Sequence, residues 1–367
     1  MATTSQQVRA YRGPALFSFG FRPFFLLGAL WAAVSVPLWI VSYSVGPDAL
    51  PVNAGLAFHV HEMVFGYGSA IVAGFLLTAV PNWTGRLPVC GPPLMVLVSV
   101  WVAGRAVMLL QPGPVWVPAI VDAAFLVLFA AVIWREVIAG RNSRNLKVAA
   151  AVNLLALANI AFHWMSLAEG GLPQAAIRTG LATLVFLILL IGGRITPSFT
   201  RNWLARKGGP LPVAASRFDD IVLAVSFVAL AAWGLFGEIF AVSVLLLVAG
   251  LLNIARLARW RGERTLAEPL VTILHAGYAW AALAILLVGL GGLWPVYVPR
   301  IAGLHAAGAG AVGVMTLAVM TRSSLGHTGR ALTAGAGTLV IYGLVNVATL
   351  ARVAAPFLDQ PYQMHAN

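Results

Sequence analysis

Six histidines, one glutamate and a handful of arginines are the residues of this chain best suited to chemistry. His59, His61 and Glu62 stand together in the run Phe58-His59-Val60-His61-Glu62-Met63, and His163, His275, His305 and His327 are spread over the rest of the sequence. Imidazole is the commonest metal ligand and suits copper, iron and zinc. Histidines from several helices at one depth could hold a copper ion or the axial positions of a haem. At about 100° per residue, His59 and Glu62 share a helical face, while His61 points roughly 200° from His59. A regular helix therefore cannot offer both imidazoles to one ion. The plainer reading is that each histidine is tied to an ordinary backbone carbonyl, and both readings stay open.

Glu62 is the candidate catalytic group, orienting a ligand or relaying protons. Arg105 and Asp122 either form a mutual ion pair, or Arg105 grips a carboxylate of a bound cofactor. A second polar group gathers around Trp83, Arg194 and Arg322. These residues sit in Asn82-Trp83-Thr84-Gly85-Arg86, in Gly193-Arg194-Ile195-Thr196-Pro197 and in Thr321-Arg322-Ser323-Ser324-Leu325-Gly326-His327, all expected at helix ends. Together with His275 and His327 they could bind a carboxylate, a phosphate or a quinone head group. The alternative is that these arginines only fix topology and bond lipid phosphates.

The elements that must position these groups are read from composition. Of 367 residues, 60% are hydrophobic and 9% charged, and the mean hydropathy is +0.90. Soluble domains carry about 25% charged residues, so a polytopic membrane protein is indicated. Apolar stretches place helices at 24–45, 58–80, 93–110, 116–134, 148–168, 176–194, 219–237, 240–257, 269–290, 302–321 and 332–353. The fold class is all-α, a transmembrane bundle over 24–353, with a cytoplasmic segment at 1–23 and a C-terminal tail at 354–367. The net charge is +12, yet the basic residues lie in short loops, where they read as topology signals rather than a nucleic-acid surface. With the N-terminus in the cytoplasm, all 23 Lys and Arg except Arg105, Arg178, Arg300 and Arg352 fall on the inner side. The first span, flanked by Arg9, Arg12 and Arg22, reads as a signal anchor. The single cysteine, Cys90, excludes an internal disulfide and a multi-cysteine zinc site. Small residues along the tenth helix, Gly303, Ala306, Ala307, Gly310 and Gly313, suit close packing, with a flat macrocycle against the stripe as the alternative.

These motifs resemble the NnrS family. The resemblance rests on His59-Val60-His61-Glu62-Met63-Val64-Phe65-Gly66-Tyr67, on Leu77-Thr78-Ala79-Val80-Pro81-Asn82-Trp83-Thr84-Gly85, on Gly193-Arg194-Ile195-Thr196-Pro197-Ser198-Phe199-Thr200-Arg201-Asn202, and on Val319-Met320-Thr321-Arg322-Ser323-Ser324-Leu325-Gly326-His327-Thr328-Gly329-Arg330. His305 also falls where that family carries a histidine. The resemblance implies a bacterial inner-membrane protein that binds haem b and copper and takes part in the response to nitric oxide. It also implies twelve spans where the hydropathy gives eleven. It does not say which histidine holds which metal. Three functions stay open: a quinol-dependent nitric oxide reductase among membrane lipids, a transporter or chaperone of metal, haem or a small anion, and a membrane sensor of nitric oxide. No matching pair of interrupted helices is legible in the sequence, which counts against a transporter.

Overall fold

The computed structural model describes residues 11–46 and 49–358. Arg9 and the end of the C-terminal tail lie outside the described residues. Eleven helices among the described residues are long and apolar enough to cross a membrane, and no strand accompanies them. They are α1 (Phe21–Val45), α2 (Leu56–Thr84), α3 (Pro92–Leu110), α4 (Trp116–Ala139), α5 (Leu146–Glu169), α6 (Gln174–Arg206), α7 (Arg217–Phe236), α8 (Phe240–Ala258), α9 (Pro269–Leu293), α10 (Arg300–His327) and α11 (Ala336–Leu358). The chain is a multi-pass membrane protein.

Local chemistry sets the ends. Pro92 and Pro269 open α3 and α9, where a missing N–H costs nothing. A capping box, Ser216 with Asp219, opens α7. Several helices run further than hydropathy indicates, three of them through polar last turns. α2 continues to Thr84, α6 to Arg206 and α10 to His327. The segments around Arg194 and Arg322 are therefore helical rather than turns, and Pro197 lies inside α6.

Three helices are also interrupted, which the sequence does not disclose. π-helical turns replace the regular winding at Glu62–Gly68 in α2, Ile188–Gly192 in α6 and Ala306–Val314 in α10. Such turns insert an extra residue and rotate everything beyond them relative to everything before. His61 and His305 each stand immediately before one.

The chain divides into two compact units, residues 1–180 and 181–367, with the boundary inside α6. In the first unit α4 packs against α2, α3 and α5, and α1 lies along α2. In the second α9 is central, against α6, α8 and α10, and α11 packs on α10. Of the most apolar stretch, 72% is buried in both α2 and α9, against 11% in α11. The two most enclosed helices are thus the ones that carry His61 with Glu62, and His275. Close approach of α9 and α10 needs glycine. A Cβ at Gly310 would stand 2.8 Å from the Trp280 ring, and one at Gly277 2.9 Å from Met315 Cα. Helix packing accounts for Gly303 and Gly310 of the small-residue stripe, since Gly303 meets Val288. Gly308 has open space beside it.

Candidate metal centre

The first unit buries a cluster of seven polar side chains drawn from five helices. α3 and α4 form an antiparallel hairpin, so Arg105 and Asp122, similar distances from the connecting loop, face each other. One η nitrogen of Arg105 donates to Asp122 Oδ1 and the other to Glu62 Oε2. Trp31 of α1 also donates to Glu62 Oε2, at 2.6 Å. Glu62 Oε1 meets His61 Nδ1 at 2.8 Å. The far nitrogen of that ring, Nε2, lies 2.9 Å from Asn159 Oδ1 and 3.2 Å from Asp122 Oδ2. Asn159 Nδ2 and His163 Nε2 each donate to Asp122 Oδ2 at 2.8 Å. His61 and Glu62 are fully buried, Asp122 and Asn159 are 1% exposed, and His163 is 9% exposed.

The π turn makes this geometry possible. A Cβ at Gly66 would run into the Arg105 guanidinium and the Glu62 carboxylate. The Gly66 carbonyl accepts from Trp101 Nε1 at 3.1 Å and from the Ser69 hydroxyl at 3.1 Å. The widened turn is thus held by donors from outside the regular ladder. Asn159 and His163 are four residues apart on α5, which sets both on one face.

Asn159 turns its amide nitrogen to Asp122, so its oxygen faces His61. Both nitrogens of His61 then face oxygens, those of Glu62 and Asn159. Arg105 bridges the two carboxylates, and His61, Asn159, His163 and Trp31 also bond their oxygens, which is how these charges are tolerated in an apolar interior. The same arrangement presents a ligand set. His61, Asp122 and His163 each offer one atom, all within 4.8 Å of one another, and they are the group of that kind among the described residues. The walls are apolar, with Phe162 at 4.8 Å and Phe65 at 5.4 Å from the His61 ring.

The NnrS protein family model matches residues 15–367, nearly the whole chain. The chain belongs to the NnrS family. No curated protein and no solved structure matches it. The two histidines of the run 58–63 have separate surroundings. His59 stacks on Trp39 of α1, with ring centroids 5.2 Å apart and planes 15° off parallel, while His61 enters the cluster. Arg105, with both η nitrogens on carboxylates, supplies charge balance there.

The remaining candidates lie in the second unit, except Trp83, whose ring meets Phe75 edge-on and whose carbonyl accepts from Asn142. His275 Nε2 lies 2.8 Å from Thr200 Oγ1. That hydroxyl gives its proton to the Thr196 carbonyl, so His275 is the donor and Nδ1 is the bare nitrogen, closed over by Gly262. His305 Nδ1 is buried without a hydrogen-bond partner. Arg322 stacks on Phe199 at 3.8 Å. Arg194 and His327 are exposed.

A further cluster in this unit escapes sequence reading. Arg256, assigned to loop topology by its neighbours in sequence, is 3% exposed. It bonds Asp219 at 3.0 Å, Tyr278 at 2.9 Å and the carbonyl of Leu189, in the π turn of α6, at 3.1 Å. Tyr278 in turn donates to Asn253, and Asn253 to Ser226. The available signal was Asp219 two residues into α7 and Arg256 two residues from the end of α8, a hairpin that pairs them.

Proposed function

We propose that this protein binds nitric oxide at metal held inside the membrane and reduces it under nitrosative stress. The observation that carries the reading is the buried His61–Asp122–His163 group on three helices; membership of the NnrS family supports the nitric oxide response. Nitric oxide is small and apolar, so it reaches a site among helices without a polar channel.

Each side chain has a role in this reading. His61, Asp122 and His163 hold a metal ion. Glu62 fixes the His61 ring through Nδ1 and, with Trp31 and Arg105 on its other oxygen, stays in place while the ion binds. His305, whose Nδ1 is buried without a hydrogen-bond partner, is the residue that would hold haem. Haem bound there would supply one-electron chemistry. Trp83, Arg194, Arg322, His275 and His327 remain candidates for the quinol or for cofactor carboxylates. Overall, two molecules of nitric oxide, two electrons and two protons give nitrous oxide and water, with one quinol oxidised to quinone.

Purified full-length protein, supplied with a quinol without oxygen, should consume nitric oxide. Saturable binding without consumption would make it a sensor. Metal uptake into proteoliposomes with no response to nitric oxide would make it a transporter.

A further inference from the structure

We infer that the His61–Asp122–His163 group takes iron(II) without a porphyrin, rather than copper. This rests on reading the group as a metal centre and names the ion it selects. The donor set is two imidazoles and one carboxylate, the combination that non-haem iron(II) sites use with further positions left open. No cysteine belongs to the group. Copper(I) is a soft ion that favours sulfur donors, and a carboxylate suits it poorly.

Two of the three ligand-to-ligand distances are those of a coordination shell, and the third lies within 4.8 Å. Two ligands at about 2.1 Å from an ion and at right angles stand about 3.0 Å apart, against about 3.4 Å for a tetrahedron. Asp122 Oδ2 lies 3.2 Å from His61 Nε2 and 2.8 Å from His163 Nε2. The orienting partners are also in position. A metal-bound histidine usually gives its other N–H to a carboxylate, and Glu62 Oε1 stands 2.8 Å from His61 Nδ1. Arg105 holds Asp122 by Oδ1, which leaves Oδ2 to face both histidines. The rings of Phe65 and Phe162 line the group with apolar surface suited to an uncharged diatomic gas rather than an anion.

The test uses the full-length protein, stripped of metal in detergent and kept without oxygen. It is titrated with iron(II) and, separately, with copper(I), and the iron-loaded sample is examined by electron paramagnetic resonance after nitric oxide is added. Wild type should bind one iron(II) per chain and develop the high-spin signal of a non-haem iron nitrosyl. His163→Gln keeps an N–H donor toward Asp122 and so protects the fold, yet should lose the signal; Asp122→Asn should do the same. Trp164→Phe, at an exposed position of the helix that carries His163, should keep it. Tight copper(I) binding with no iron uptake would overturn the iron assignment and leave the metal centre standing. Absence of any metal binding by folded protein would overturn both. Iron bound equally by wild type and His163→Gln would also overturn the assignment.

Discussion

At the scale of single residues, the cluster in the first unit depends on carboxylates that each serve several partners. Glu62 divides its oxygens between His61 on one side and Trp31 with Arg105 on the other. Glu62→Gln keeps the shape but weakens the hold on the imidazole. Loss of such an orienting partner typically costs about 10–100-fold in metal affinity, and equilibrium dialysis of the variant should show a loss of that size. His61 and His163 were legible as candidates because histidine inside an apolar run is costly. Asn159 and Trp31 were not singled out, because asparagine and tryptophan in a span are common and nothing local marks them. The spacing of Asn159 one turn before His163 was the one available hint. His59 and His61 separate in the fold, one on Trp39 and one in the cluster, as their angular offset on a helix requires.

At the scale of elements, helix positions follow from hydropathy, and the π turns do not. Apolar length places all eleven spans, but a widened turn depends on what approaches it from a neighbouring helix. Gly66 lets Arg105 and Glu62 pass close to the α2 backbone. Gly66→Ala should therefore destabilise the protein by about 1–3 kcal/mol, the usual cost of overpacking. Gly308→Ala, with nothing beside it, should leave the melting temperature in detergent nearly unchanged. In α6 the Leu189 carbonyl is held by Arg256. Arg256→Met leaves Asp219 with Arg259 at 3.4 Å and its Ser216 cap, so the loss should fall below about 3–5 kcal/mol, the cost of a fully unpaired buried charge, and Arg256→Met with Asp219→Leu should recover part of it. Equal melting temperatures for the single and double variants would remove the ion pair from the account. Arg256 shows why loop charges mislead: a residue two positions from a helix end counts as loop by sequence, yet the hairpin turns it inward.

At the scale of the whole molecule, the distribution of Lys and Arg predicts which loops face the cytoplasm. In a Cys90→Ser background, Arg144→Cys should react with an impermeant thiol reagent only after cells are opened, and Pro112→Cys should react in intact cells. The reverse pattern would invert the topology. Burial pushes the Cys90 thiol up from its ordinary value, so little thiolate exists at neutral pH, and its own labelling in the unaltered chain should speed up as pH rises toward that raised value. The fold class was legible because a membrane demands apolar length. The site was legible as scattered histidines, Glu62 and the Arg105–Asp122 pair, but their convergence was not, because it depends on hairpin pairing and on turns that no linear pattern records. The account stands or falls on whether the first unit holds a metal that meets nitric oxide. The most direct measurement is a nitric oxide binding isotherm on protein purified with its native metal, wild type beside His61→Gln. Saturable binding to a centre in the first unit that disappears in the variant is the predicted result. Identical isotherms for two folded proteins would contradict it.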